Sequence, residues 1–236
     1  MALPKLNDKP KYEVIIPSSQ HKVKFRPYLV KEEKVLMMAM ESQDQRQMLN
    51  AVVDTIEACV DGPIKRSKLT VFDVEYLFTQ IRAKSVGESA KVGLKCKDCE
   101  HVNEISVKLD DIKVEIKKVN NKLDLGNNII LNMQWPMYEN VINIESIGSE
   151  KTTTEQTFDM IIQCIDSVQT DDELIKISDE PKEEVISFIE SLNTNQFMKI
   201  REFVESAPKM KHDINYKCES CKADNTVELE GMNDFL

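Results

Sequence analysis

Glycine and proline are scarce in this chain, six and eight among 236 residues. Long flexible or low-complexity linkers are therefore not expected. No run approaches the ~20 consecutive apolar residues that a bilayer-spanning helix needs. The opening Met1-Ala2-Leu3-Pro4-Lys5 lacks the apolar stretch of a secretory leader. The expected setting is a reducing cytoplasm, where disulfides are disfavoured. A Gly-rich phosphate loop and an HExxH pattern are both missing. His21 has no triad pattern of Ser, Cys or carboxylate nearby. The pairs Asp110-Asp111 and Asp171-Asp172 read as solvated loops. No catalytic residue, no membrane and no small-molecule substrate is expected, and the chain is not expected to be an enzyme.

Apolar residues make up 41% and charged residues 31%, a globular balance with enough apolar material for a core. The net charge of −10 would repel a phosphate backbone unless a local basic patch offset it. Lys65-Arg66 with Lys68, and Lys117-Lys118, are brief and lie among apolar or acidic residues. A solvated face accounts for them, and nucleic acid is not expected as a partner.

Hydrophobic periodicity predicts a mixed α+β chain. Tyr12–Ile16 and His21–Tyr28 read as an N-terminal β-hairpin around Pro17-Ser18-Ser19-Gln20. Lys31–Glu41 consists of good helix formers. A second helix from Gln45 carries Met48, Leu49, Val52, Val53, Ile56 and Val60, and Asp61-Gly62-Pro63 ends it. A third opens near Thr70 with the stripe Val74, Leu77, Phe78 and Ile81, and Asp73 stands where a capping box places its acid. Strands are expected over Ser89–Cys96, Asn103–Leu109, Lys113–Ile116 and Ile129–Trp135, with a polar, turn-rich stretch before the last. A helix from Thr153 would bury Phe158, Ile161, Ile162, Ile165 and Val168. Another starts at Pro181, where a missing N–H costs nothing, and buries Val185, Ile186, Ile189 and Leu192. Thr194 is expected to cap a last helix burying Phe197, Ile200 and Val204, with Pro208 stopping it. The Met-rich Leu36–Met40 reads as core filling, although methionine also suits a partner-binding groove.

Two CxxC pairs share more than cysteine. Val92-Gly93-Leu94-Lys95-Cys96-Lys97-Asp98-Cys99 matches Ile214-Asn215-Tyr216-Lys217-Cys218-Glu219-Ser220-Cys221. Asn103-Glu104-Ile105-Ser106-Val107 then matches Asn225-Thr226-Val227-Glu228-Leu229. Each is a strand, a tight turn and a strand. A two-residue gap lets both thiolates of a hairpin reach one ion, and two such hairpins supply four sulfurs. Cys96, Cys99, Cys218 and Cys221 are therefore the expected ligands of one structural zinc ion per chain. Two features depart from a usual zinc ribbon. Residues 100–217 separate the halves, far more than compact modules allow. Glu100 and Lys222 also stand where such turns often place Gly. Competing readings are two redox-active pairs, two ions completed by His101 and His212, or incidental buried thiols. Redox motifs of this spacing open a helix rather than join two strands. Cys59 and Cys164 lie in helical patterns and read as small buried apolar groups.

The opening Leu3-Pro4-Lys5-Leu6 with Tyr12, and the run Val23 to Lys34, resemble the baseplate hub and hub-assembly proteins of T-even-like contractile-tailed bacteriophages. So do Phe72–Phe78 with Ile81–Glu88, and the late block of Phe197–Phe203, Pro208-Lys209, the second CxxC and Leu229–Phe235. The resemblance covers nearly the whole chain. It implies a late viral protein of tail morphogenesis that binds other hub and tail proteins, in the host cytoplasm during assembly or in the virion baseplate. The alternative is a zinc-ribbon nucleic-acid or transcription accessory protein.

The expected organisation has three parts. Residues 1–109 hold the hairpin, helices and first CxxC hairpin; 110–210 form an inserted strand and helical region; 211–236 complete a zinc-ribbon-like β module and end in a tail. That tail, Gly231 to Leu236, closes on apolar residues and is expected either to pack back or to dock on a partner.

Overall fold

The computed structural model describes residues 10–62, 64–116, 119–147 and 153–231. Leu3-Pro4-Lys5-Leu6, Lys117-Lys118 and residues 232–236 of the expected contact tail lie outside them. The chain is mixed α+β and divides into two compact units. One comprises Met1–Arg66, Phe72–Glu115 and Lys209–Leu236, the other Ser67–Val71 and Ile116–Pro208.

The first unit opens on the expected hairpin. Strands β1 (Tyr12–Ile15) and β2 (Lys22–Phe25) pair antiparallel, with Tyr12 opposite Phe25. Helix α1 (Val30–Glu41) follows. Helix α2 (Gln45–Cys59) starts at Asp44, whose side chain accepts from the Gln47 amide, and buries Val52, Val53, Ile56 and Cys59. Val60 does not continue that helix. With Asp61 it forms β3 (Val60–Asp61), a third strand on β2. Helix α3 (Val71–Ser85) buries Val74, Leu77, Phe78 and Ile81, the stripe that the spacing predicts. Asp73 on α3 is fully buried and accepts from the Ser18 amide at 2.8 Å and the Ser18 hydroxyl at 2.5 Å. The hairpin turn is thus pinned to the helix by two hydrogen bonds to the Asp73 carboxyl.

The Met-rich stretch is a correction. Helix α1 buries only Glu32 and Ala39, while Met37, Met38 and Met40 are 55–66% exposed. The inward side is anchored by charge instead of methionine. Arg26 donates to Glu32 at 2.8 Å and to the Ala58 carbonyl, and Glu32 accepts from the Leu29 amide.

Strands β4 (Ser89–Lys95) and β5 (Val102–Lys108) form a two-stranded hairpin, and β6 (Lys113–Val114) is a short strand after it.

In the second unit, β7 (Lys122–Gly126) and β8 (Ile129–Met133) form a hairpin. Asn127 and Asn128 both take positive φ at its turn, the geometry that primed hairpin turns require. The stretch expected as polar turn therefore contains a strand. Helix α4 (Tyr138–Ile147) and helix α5 (Thr153–Gln163) follow, then β9 (Ile165–Gln169) and β10 (Leu174–Lys176). Ile165 and Val168, expected on a helix face, lie on β9 and pair with Met133 and Leu131 of β8. The sheet order is β10-β9-β8-β7, every pair antiparallel. Helices α6 (Lys182–Glu190) and α7 (Thr194–Glu205) complete the unit. Asn193, not Thr194, caps α7, in a reciprocal capping box with Gln196. Leu131, Met133, Ile161, Ile165, Ile189, Ile200 and Phe203 share one core, and Trp135 stacks on Phe203 at 4.5 Å.

The chain then returns to the first unit through β11 (Met210–Lys217) and β12 (Asp224–Glu230), with β6 on the outer edge of β11.

Candidate metal centre

The hairpins β4–β5 and β11–β12 are built alike. In the first, Lys95 pairs with Val102 at the mouth of the turn and Ser89 with Lys108 at the far end. In the second, Lys217 pairs with Asp224 and Lys211 with Glu230. Their turns match bond for bond. The Cys96 amide donates to the His101 carbonyl at 2.9 Å, and the Cys218 amide to Ala223 at 2.9 Å. The Glu100 and Lys222 amides donate back to the Cys96 and Cys218 carbonyls at 3.0 Å. Glu100 and Lys222 adopt φ of 58° and 64°. That left-handed conformation normally favours glycine, so both turns hold a side chain there.

Each turn also aims amides at its first sulfur. The Asp98 and Cys99 amides hydrogen-bond the Cys96 sulfur and, with the Asn225 side-chain amide, hold its thiol down to about 6. At Cys218, burial opposes ionisation, but the Cys221 and Ser220 amides outweigh it and lower the thiol. Hydrogen bonds to a charged form favour that form, so the amides of each turn favour ionisation of its first cysteine. At Cys221 the thiol is instead pushed up to about 12. The Ala223 amide pulls it down, and the neighbouring sulfurs, Cys99 first, push it up further.

The two turns bring all four cysteines into one cluster. Their sulfurs all lie within 4.8 Å of one another, Cys96 to Cys221 at 3.6 Å and Cys99 to Cys218 at 3.7 Å. A tetrahedral zinc with Zn–S of about 2.3 Å needs sulfurs about 3.8 Å apart. The spacing and the four-sulfur donor set fit such an ion. Cys96 and Cys218 are buried, and Cys99 and Cys221 are exposed. The sequence expectation named these four residues, and the structure places them close enough together to bind a metal. Neither His101 nor His212 belongs to the cluster. Cys59 and Cys164 are buried apart from it, and burial pushes their thiols up to about 11 and about 12.

Two residues that the sequence pattern contained but gave no role complete the geometry. Asn103 on β5 accepts from the Glu219 amide at 2.8 Å, and Asn225 on β12 accepts from the Lys97 amide at 3.0 Å. Asn225 also donates to the Cys96 sulfur at 3.4 Å. Tyr216 adds a bond to the Lys95 carbonyl, and the Lys97 ammonium one to Thr226. The repeated Asn four positions after each CxxC was the available signal. Its partner lies in the other hairpin, which no local pattern indicates.

A family model described as T4 bacteriophage base plate protein matches residues 9–236. No curated protein and no solved structure matches the chain.

Proposed function

Given that the chain belongs to the T4 bacteriophage base plate protein family, we propose that it is a non-enzymatic hub component or hub-assembly factor of the tail baseplate. It acts in tail morphogenesis through contacts with other tail proteins. The family match over residues 9–236 is the observation that carries this reading. Its place is the host cytoplasm during assembly and the tail to which the baseplate belongs.

Within that role, Cys96, Cys99, Cys218 and Cys221 hold one structural zinc ion per chain. Four thiolates leave no open position for water or substrate, so the ion supports the fold and does no chemistry. Soft sulfur donors suit zinc, which has no redox activity of its own. Hairpins β4–β5 and β11–β12 then form a zinc-ribbon-like module of two distant halves, with residues 110–210 inserted between them.

The nucleic-acid alternative needs a basic face on these hairpins. Three of their lysines pair with acids, Lys91 with Glu104 at 2.6 Å, Lys211 with Glu228 at 2.6 Å and Lys217 with Asp224 at 3.9 Å, and acids are at least as numerous as lysines over the two hairpins. Nothing there offers the excess charge that phosphate contacts require.

The test is genetic and biochemical together. Phage lacking this chain should yield no complete baseplates, and the tagged chain should capture baseplate proteins from infected cells. Its presence in finished tails would make it a component; its restriction to intermediates would make it an assembly factor. Normal baseplates in its absence, or tight DNA binding at low salt, would overturn the reading.

A further inference from the structure

Asparagine is poorly suited to a strand, yet Asn103 and Asn225 are 0% and 5% exposed within β5 and β12. A buried amide is tolerated only where its hydrogen bonds are made. Each makes them in two directions. The Asn103 side-chain NH2 donates to the His101 carbonyl of its own turn at 3.0 Å, while its oxygen receives the Glu219 amide of the opposite turn. The Asn225 NH2 donates to the Ala223 carbonyl of its own turn at 3.0 Å, while its oxygen receives the Lys97 amide. Lys97 and Glu219 are the residues immediately after Cys96 and Cys218. Each asparagine therefore ties its own turn to the backbone beside the other hairpin's buried cysteine.

We propose that Asn103 and Asn225 are positioning residues of the metal centre. They form a reciprocal latch that sets the two half-sites against each other independently of the ion. This rests on reading the four cysteines as a metal site. The latch brings Cys96 to Cys221 and Cys99 to Cys218 before metal enters, so the ion meets four converging sulfurs rather than two separate pairs. Leaving the site requires that the latch open or that each hairpin release its pair in turn.

Two measurements test it. The first is zinc release from the purified full chain to an excess of a chromogenic chelator. Asn103→Ala and Asn225→Ala should each release zinc about tenfold faster, since one buried hydrogen bond is worth roughly the 1.4 kcal/mol that corresponds to a factor of ten. The second uses metal-free protein and diamide, which accepts two electrons and two protons as two thiols become one disulfide. Peptide mapping should find the cross-hairpin disulfides Cys96–Cys221 and Cys99–Cys218 in the parent chain. In either alanine variant the pairing should shift to Cys96–Cys99 and Cys218–Cys221. Leu77→Ala, a destabilising core substitution away from the site, is the control: it should keep the cross-hairpin pairing while the chain stays folded, whereas unfolding alone favours the local pairs. Zinc release at the parent rate with unchanged pairing would overturn the latch while leaving the metal site standing. A parent chain without zinc would overturn the metal reading, and the disulfide map would still judge the latch. Should the variants not fold, amide exchange in the metal-free parent decides. Protection of Lys97 and Glu219 like that of strand amides supports the latch, and exchange at free-peptide rates overturns it.

Discussion

The six thiols differ in what surrounds them. Cys96 and Cys218 are aimed at by backbone amides, while Cys164 sits in the apolar core of the second unit and Cys59 is buried beside Arg26 and Glu32, and burial pushes both of those thiols up. Cys218→Ser should therefore abolish metal retention and lower the melting temperature by roughly 10 °C, the effect of losing about 3 kcal/mol in a chain of this size. Cys59→Ala and Cys164→Ala should leave the metal content unchanged, whatever they cost in packing; metal analysis beside thermal melts checks both. Glu32 gives a second prediction. Burial alone would raise its carboxyl, but Arg26, the Leu29 amide and Lys31 outweigh that and hold it down to about 2. Its side chain is only 7% exposed. The folded value lies below the usual ~4.3 of a free glutamate. The stabilisation is thus fully present above that value and is lost as pH falls toward 2. Glu32→Gln should cost on the order of 2 kcal/mol at neutral pH, with the difference from the parent lost as pH falls through about 2 in urea melts. At this scale the cysteines were legible because their spacing repeats. Asn103 and Asn225 stood in the same repeat, but their partners are contributed by the other hairpin.

Elements were legible where one period dominated. The α3 stripe and the first CxxC hairpin follow 3.6 and 2 cleanly: α3 opens one residue after Thr70, and the expected Ser89–Cys96 and Asn103–Leu109 agree with β4 and β5 to within a residue. Strand β9 did not, because it is an inner strand with Ser167 and Val168 both buried. Its alternation is lost, and Ile161, Ile162, Ile165 and Val168 mimic helical spacing. Strand β7 did carry a signal, Leu123 and Leu125 alternating ahead of Gly126-Asn127-Asn128, but the polar neighbours obscured it. The α1 methionines misled in the opposite sense, since a cluster of apolar residues says nothing about which way a helix faces. Met37→Gln with Met40→Gln should change stability by no more than about 0.5 kcal/mol each, as exposed positions do. Leu77→Ala on α3, fully buried, should cost about 2–5 kcal/mol. The cap of α7 gives a sharper contrast. Asn193→Ala removes the bond to the Gln196 amide at 3.0 Å and should cost about 1 kcal/mol, while Thr194→Ala should be close to neutral. Urea unfolding of these variants measures all of this.

Across the whole chain, two stretches far apart in sequence meet at one cluster of sulfurs. An ion held there closes a loop of more than a hundred residues, and its binding free energy becomes folding free energy. Composition could indicate a globular, acidic chain, and the duplicated hairpins could indicate a shared site. Neither could show that the two turns exchange hydrogen bonds as well as sulfurs, since that depends on how the folded first unit sets one hairpin against the other. The family match adds what no spacing supplies, a place in the phage baseplate. The claim joining these observations is that the chain is a metal-stapled structural protein, and elemental analysis of the full chain purified without added metal tests it most directly. About one zinc and no iron per chain, with the zinc lost in Cys218→Ser, is the predicted result; a parent chain with zero or two zinc ions would contradict it.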